Sequence, residues 1–284
     1  MSNHVAETTR KHLRPAEQPI VESDEFIERA LQHAGIPALM MSMIHMTGDA
    51  SLLDGPVRPN TAILGEIQGF LSQEQQDQVR SQALQVVKKF RDNQCQLPAL
   101  PDPATICRMM SFMVGEDVPE EYVPMMQEEM NLSGEDSRAV HWDNTVTDSQ
   151  TQNFPVVIIG AGVGGVLAGI RLREAGVPFI IVEKNSDVGG TWHENTYPGA
   201  RVDTPNYFYC YSFEPNHDWS QYYSQQPELQ AYLRRCCDEY GVEGHLQLNT
   251  AVTDVVFAED EKVWRVHVLR QDGATEILEA RAVI

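Results

Sequence analysis

Apolar and polar positions follow three successive patterns along the chain. Up to about Val21 the sequence is polar, broken by prolines and without period, which predicts a flexible arm over residues 1–22. From Ser23 apolar residues recur at helical spacing. In DEFIERALQHAG, Phe26, Ile27, Ala30 and Leu31 share one face, and Gly35 is placed as the C-terminal cap. IPALMMSMIHMTGD follows as a second, strongly apolar helix. Ser72 and Gln75 form a capping box ahead of QQDQVRSQALQVVKKFRDN, where Val79, Ala83, Val86, Val87 and Phe90 repeat at helical spacing and basic residues gather in the last turns. Asp102 before Pro103 opens another helix, ATICRMMSFMVG, and PEEYVPMMQEEMNL supplies a short one. Residues 23–132 are thus expected to form an all-α N-terminal extension. The polar, acidic, aperiodic stretch 133–153 reads as a connector anchored by Trp142.

From Phe154 strands and helices alternate. FPVVIIG is the short β-branched run of a buried parallel strand, and it leads straight into GAGVGGVLAGIRLREAG, a glycine turn and a helix. VPFIIVEK is a second strand ending at Glu183. Gly160, Gly162 and Gly165 spell GxGxxG, a weak pattern alone. Strand before, helix after and a carboxylate downstream make it a dinucleotide fingerprint. Gly160 permits the tight turn, Gly162 the approach of backbone to a pyrophosphate, and Gly165 the packing of helix on sheet, with the pyrophosphate on the helix N-terminus. A glycine turn without a ligand is the alternative. Glu183 would accept hydrogen bonds from ribose hydroxyls and repel a 2′-phosphate, which favours FAD or NAD over NADP at this site. Downstream, QPELQAYLRRCCDEYG predicts a helix, with His217, Asp218 and Trp219 in a surface turn before it. AVTDVVFAED, KVWRVHVLRQDG and ATEILEARAVI predict an antiparallel meander of three strands.

Composition narrows the function. With 284 residues and 42% hydrophobic content the chain can build a sizeable core. A formal net charge of −20 argues against a nucleic-acid partner, which needs a basic surface stripe. No apolar run is long enough for a membrane span and the N-terminus lacks the apolar stretch of a secretory signal, so the expectation is a cytoplasmic protein without a membrane partner. Five cysteines, an odd number without metal-ligand spacing, fit reduced thiols, and the adjacent Cys236 and Cys237 read as helix packing. All but one of the 11 methionines fall in the helical region, where they read as flexible core filler, and His45 among them reads as structural.

One segment fits neither core nor plain surface. GGTWHENTYPGARVDTP, Gly189 to Pro205, mixes Trp192 and Tyr197 with Arg201, Asp203, His193 and Glu194, charged or polar groups that are costly to bury without partners. It reads as a loop presenting side chains to a large, flat, partly polar ligand, with His193, Glu194 and Asn195 as loop hydrogen-bonders. Here the sequence resembles the flavin-dependent Baeyer–Villiger monooxygenases, whose FAD-binding GxGxxG and ribose-binding Glu are followed by GGTW and YPGARVD. The resemblance runs on through YFYCYSFEP and WSQYYSQQPELQAYLRRCCDEYGV, covering Phe154 to the end. LQHAGIPALMMSMIHMTGD and VHW are similar to the N-terminal extension of the 4-hydroxyacetophenone monooxygenase subgroup.

The resemblance implies a Rossmann-like FAD-binding domain over residues 154–284 with an inserted antiparallel β-meander. It implies that Gly160, Gly162 and Gly165, with Gly164 between them, hold the FAD pyrophosphate. Glu183, with Lys184 beside it, would hold the adenosine ribose, while Gly190, Thr191 and Trp192 run along the ribityl chain and ring. Arg201 to Asp203 would border the nicotinamide cofactor and flavin, with Asp203 as the catalytic residue orienting an arginine that supports negative charge on the oxygenated cofactor. A loop-capping carboxylate is the alternative for Asp203. Tyr209 would contact the flavin and Val252, through its backbone, the adenine. The implied reaction uses NADPH, FAD and O2 to insert one oxygen atom into a ketone, giving an ester or lactone, with an aryl ketone as the subgroup's substrate.

ARAVI begins a strand that should re-enter the parallel sheet, and the chain stops there, so an N-terminal fragment is expected. By the same resemblance the NADPH domain, a second GxGxxG and the partner arginine would lie beyond it, leaving the isolated chain inactive. Two alternatives stand beside this reading: an N- or S-oxygenating flavin monooxygenase, and a catalytically dead association module. The helical extension is the candidate surface for a homo-oligomer.

Overall fold

The computed structural model describes residues 19–61, 66–130, 136, 138–143 and 145–284. Most of the expected arm, and residues 133–135, 137 and 144 of the expected connector, lie outside the described residues. The chain divides into two compact units at Asp136.

The first unit is helical. Its elements are α1 (Asp24–Leu31), α2 (Ile36–Thr47), α3 (Gln73–Asp92), α4 (Pro103–Val114) and α5 (Val123–Met130), with short 3-10 turns at Ala50–Asp54 and Glu120–Tyr122. The caps act as the sequence predicts. Ser72 Oγ accepts the Gln75 N–H at 3.3 Å while Gln75 Oε1 accepts the Ser72 N–H at 3.0 Å. Asp102 Oδ1 accepts the Thr105 N–H at 2.9 Å and so satisfies a free amide of the first turn of α4. Ile27, Leu31, Ile36, Met40, Met43, Ile44, Val79, Ala83, Met109 and Phe112 belong to the core.

Two expectations fail here. Gly35 does not close α1, which stops at Leu31; it is the N-cap of α2 in extended geometry. Its lack of a side chain answers a close approach instead, since a Cβ there would meet the Ile67 carbonyl oxygen at 3.0 Å. Phe26 and Ala30 face solvent, because a helix of eight residues buries only the i, i+4 pair Ile27 and Leu31. The methionine core is real at Met40, Met43 and Met109, whereas Met125 is exposed. Met41, Met110, Met113, Met126 and Met130 line, with His45, an apolar cavity of about 510 Å³. Burial holds the His45 imidazole below its ordinary range.

The second unit is α/β and Rossmann-like. It runs α6 (Asp148–Gln152), β1 (Val156–Ile159), α7 (Val163–Glu174), β2 (Phe179–Val182), α8 (Thr191–Glu194), α9 (Gln226–Glu239), β3 (Leu246–Gln247), β4 (Thr250–Ala258), β5 (Val263–Arg270), β6 (Thr275–Ala280) and β7 (Ala282–Val283). The parallel sheet has the order β3-β2-β1-β7, and β4-β5-β6 form a separate antiparallel sheet. The continuous apolar runs VVII and FIIV follow from burial on both faces. Val156, Ile158, Phe179 and Ile181 pack in the cluster with Ile170, Leu229, Leu233 and Cys236 of α7 and α9. Their alternates Val157 and Val182 pack with Val266, Val268 and Ala280 of the meander. β7 then returns beside β1, pairing Val156 with Ala282 and Val157 with Val283.

Part of the connector is regular: α6 is one turn, with the Gln150 side chain accepting the Thr147 N–H at 2.8 Å. Trp142 is an anchor within this unit, its Nε1 donating to the Ala175 carbonyl at 2.7 Å. Trp219 is not a surface residue like His217 and Asp218. It packs partly buried against the core and against the Tyr232 ring, with centroids 5.5 Å apart.

Candidate functional site

Residues of the glycine fingerprint form the turn between β1 and α7. Gly160 takes φ +93°, a backbone region a side chain would strain, and donates its N–H to Val182 O at 2.8 Å, so the turn is bonded to the end of β2. A Cβ on Gly165 would overlap the Gly160 carbonyl oxygen, which is why helix and turn need glycine at both places. On Gly164 a Cβ would meet nothing within 4 Å. Gly162 is the N-cap of α7. Among the described residues no side chain caps that end and no acidic residue sits in the first turn, so its free amides and the positive end of the helix dipole are open to a ligand.

Glu183, only 4% exposed, closes one side of this turn. Its Oε2 accepts the Ala161 N–H at 2.7 Å and its Oε1 the Asn185 N–H at 2.8 Å. Both bonds are to backbone, and each carboxylate oxygen retains acceptor capacity for a ligand hydroxyl. Lys184, next in sequence, points away into an exposed ion pair with Glu194 at 2.8 Å, a contact of small worth in water. It raises the lysine and lowers the carboxyl from their ordinary values.

Gly189 and Gly190 close the other side. The Gly189 N–H donates to Ala161 O at 2.9 Å, and a Cβ on Gly190 would sit 3.0 Å from the Gly162 Cα, so two bare backbones face each other. The segment expected to be a loop begins with one helical turn, α8, that starts at Thr191 and buries Trp192. Trp192 Nε1 donates to the Tyr209 hydroxyl at 3.1 Å, and the rings meet edge to face with centroids 5.6 Å apart. Both belong to the wall of a cavity of about 200 Å³, with Val163 at the start of α7, Phe208, Cys210, Tyr211 and Tyr232. Of the residues read as loop hydrogen-bonders, His193 Nδ1 meets Gln230 Nε2 at 3.0 Å and Asn195 Nδ2 donates to Thr191 O at 3.0 Å.

Arg201 and Asp203 are both exposed. Among the described residues Asp203 has no hydrogen bond or ion pair, so it caps no part of its loop. Backbone bonds hold this segment: Val202 N–H to Ser224 O at 3.1 Å and Gln226 N–H to Ala200 O at 2.9 Å. The Gln226 side chain donates to the Trp192 carbonyl, so one residue ties the Trp192 turn to the Arg201 segment. Val252 lies elsewhere, on β4, just before a bulge in its pairing with β5. The start of β4 is bonded to the residue that follows β2, Thr250 N–H donating to Glu183 O at 2.9 Å, which carries Val252 toward the Glu183 end of the sheet.

The structure therefore unites Gly160 to Gly165, Glu183 and Gly190 in one cradle and joins Thr191, Trp192 and Tyr209 to its rim. Among the described residues no hydrogen bond joins Arg201, Asp203, Lys184 or Val252 to these glycines. Gln226 and Asn206, which position the rim, carried no sequence signal: a helix-starting Gln and a loop Asn are ordinary in those places.

Comparisons with known proteins place this chain beside flavin-dependent oxygenases in sequence. A model of the NAD(P)-binding Rossmann-like domain matches residues 158–226. The uncharacterized monooxygenase y4iD of Sinorhizobium fredii is 30% identical over 91% of this chain and 38% of its own length. A Baeyer–Villiger monooxygenase of Pseudomonas aeruginosa is 36% identical over 46% of this chain and 25% of its own. The chain is similar to Baeyer–Villiger and FAD-binding monooxygenases. It spans less than two-fifths of the length of the curated relatives it matches. Among solved structures, OTEMO in complex with FAD and NADP matches at 34% identity and a TM-score of 0.43, over 47% of this chain and 25% of that one.

Proposed function

We propose that residues 154–284 bind FAD and that residues 23–132 form a helical extension to this domain. The observation that carries the reading is the uncapped N-terminus of α7 set among bare glycine backbones beside buried Glu183. The residues present fit the cofactor: backbone amides for a pyrophosphate, a carboxylate for ribose hydroxyls, and an aromatic rim at Trp192 and Tyr209 for a ring. When bound, FAD supplies redox and oxygen-activating chemistry that no side chain offers.

The chain's own residues bind and orient. Gly162 and Gly164 would present amides to the phosphates, with Gly165 holding α7 close to the turn. Glu183 would fix the adenosine ribose, with Lys184 outside it and the backbone of Val252 toward the adenine. Gly190, Thr191 and Trp192 would flank the ribityl chain and ring. Arg201 and Asp203, exposed and held by backbone bonds, would face the nicotinamide and substrate side, with Asp203 free to orient a guanidinium.

For the whole protein the proposed activity is NADPH-dependent insertion of one oxygen atom of O2 into a ketone. An aryl ketone is the finer proposal, supported by the resemblance of the helical extension, and a cytoplasmic location is supported by the five free cysteines. No helix among the described residues is long and apolar enough to cross a membrane. Titrating the purified 284-residue chain with FAD tests the cofactor reading: saturable quenching of flavin fluorescence is expected, and no binding would refute it. Product analysis of a full-length form with ketone and amine substrates separates ketone oxygenation from N-oxygenation.

A further inference from the structure

Three tyrosines line the cavity of about 200 Å³ beside the glycine cradle, and their hydroxyl protons have different fates. Tyr211 donates to the Val163 carbonyl at 2.7 Å. Tyr232 donates to the Glu214 carbonyl at 2.9 Å and accepts the Tyr211 N–H at 2.8 Å. Both are buried, and both protons are committed to backbone.

Tyr209 differs. Its oxygen accepts the Trp192 Nε1–H at 3.1 Å. An indole N–H can only donate, so this bond fixes the tyrosine oxygen as acceptor on that side and turns its own proton elsewhere. No acceptor among the described residues takes that proton. The edge-to-face contact, with an interplanar angle of 86°, holds the two rings in register, and Gln226 holds Trp192 from behind through its carbonyl.

We propose that Trp192 is a positioning residue that sets the Tyr209 hydroxyl as a hydrogen-bond donor to an acceptor atom of the bound flavin ring. This rests on the FAD reading given above. Without the indole N–H the phenol rotates between donating and accepting, and the donor is no longer organised in advance of the ligand. Trp192 thus serves the ring through Tyr209 as well as by its own surface.

The test is a double-mutant cycle on the 284-residue chain, with FAD as the probe and flavin fluorescence and absorbance as the readouts. Tyr209→Phe and Trp192→Phe each keep an aromatic ring while deleting one polar hydrogen. Tyr209→Phe is expected to weaken FAD binding roughly tenfold, the effect of one hydrogen bond. Trp192→Phe should weaken it in the parent and add little in the Tyr209→Phe background, because the two act as one unit. Trp192→His, which restores a ring N–H, should recover part of the loss. An equal loss from Trp192→Phe with and without the Tyr209 hydroxyl would mark pure packing and overturn the inference while leaving the FAD reading intact. If Trp192→Phe fails to fold, Tyr209→Phe decides alone: parental affinity and spectrum overturn the donor role. A parent chain that binds no FAD overturns both readings.

Discussion

Asn206 and Ser224 exchange two hydrogen bonds across the rim of the site: Asn206 Oδ1 accepts the Ser224 N–H at 2.8 Å and Asn206 Nδ2 donates to Ser224 Oγ at 2.6 Å. Both residues are fully buried, and the same amide nitrogen also reaches Gln221 O at 2.5 Å. The pair clamps the stretch after Asp203 to the stretch before α9. Asn206→Ala leaves the buried Ser224 N–H and hydroxyl without their Asn206 partner, a loss of roughly 2–4 kcal/mol. A lower urea midpoint, with faster proteolysis between Arg201 and Phe208, is the expected result; a midpoint like the parent's would show that the clamp is redundant.

Neighbouring glycines of the fingerprint should behave oppositely. Gly165→Ala drives a methyl into the Gly160 carbonyl and is expected to cost more than about 3 kcal/mol or to prevent folding. Gly164→Ala meets open space in the first turn of α7 and should leave stability unchanged or raise it by up to about 1 kcal/mol. Thermal unfolding of the two variants checks the contrast.

Burial pushes the thiols of Cys236 and Cys237 from 9.0 up to about 12. Both should resist alkylation at mildly alkaline pH in the native chain and react once it is unfolded. The linkage has a definite sign. Above about 9 the unfolded thiols lose protons that the folded ones keep, so the unfolded state binds fewer protons and stability falls as pH rises from about 9 toward 12. Cys236→Ala with Cys237→Ala should flatten that alkaline slope, measured by denaturation at a series of pH values.

Asp203 separates folding from proposed chemistry. Because it is exposed and has no partner among the described residues, Asp203→Ala should change stability by less than about 0.5 kcal/mol and leave FAD affinity near the parent's. The loss is expected in NADPH-driven oxygenation by a full-length form, read as product per NADPH consumed. Undiminished coupling would remove Asp203 from the catalytic set.

Local chemistry was legible from the residues themselves. The glycine spacing, the caps at Ser72 and Asp102, the buried β-branched strands and the meander each follow from interactions within a few residues or from a simple period. Gly35 misled because glycine serves equally as a helix end and as a place of close approach, and only the distant Ile67 distinguishes the two. Asn206, Gln226 and Glu183's grip on Ala161 depend on partners 15 to 34 residues away. Polar residues outside a periodic segment carry no mark of such bonds, so the cradle could be read in advance but the braces of its rim could not.

The return of β7 beside β1 also orders events during synthesis. β1 can pair with β2 as soon as the first βαβ unit has left the ribosome, but its other edge must wait for Ala282 and Val283, after the whole meander has been made. Until then one side of β1 offers unpaired amides and carbonyls, and Val157 lacks its cover of Val266 and Val268. A nascent chain paused within residues 250–280 therefore still presents this open edge, and chaperone capture is expected to persist through that window.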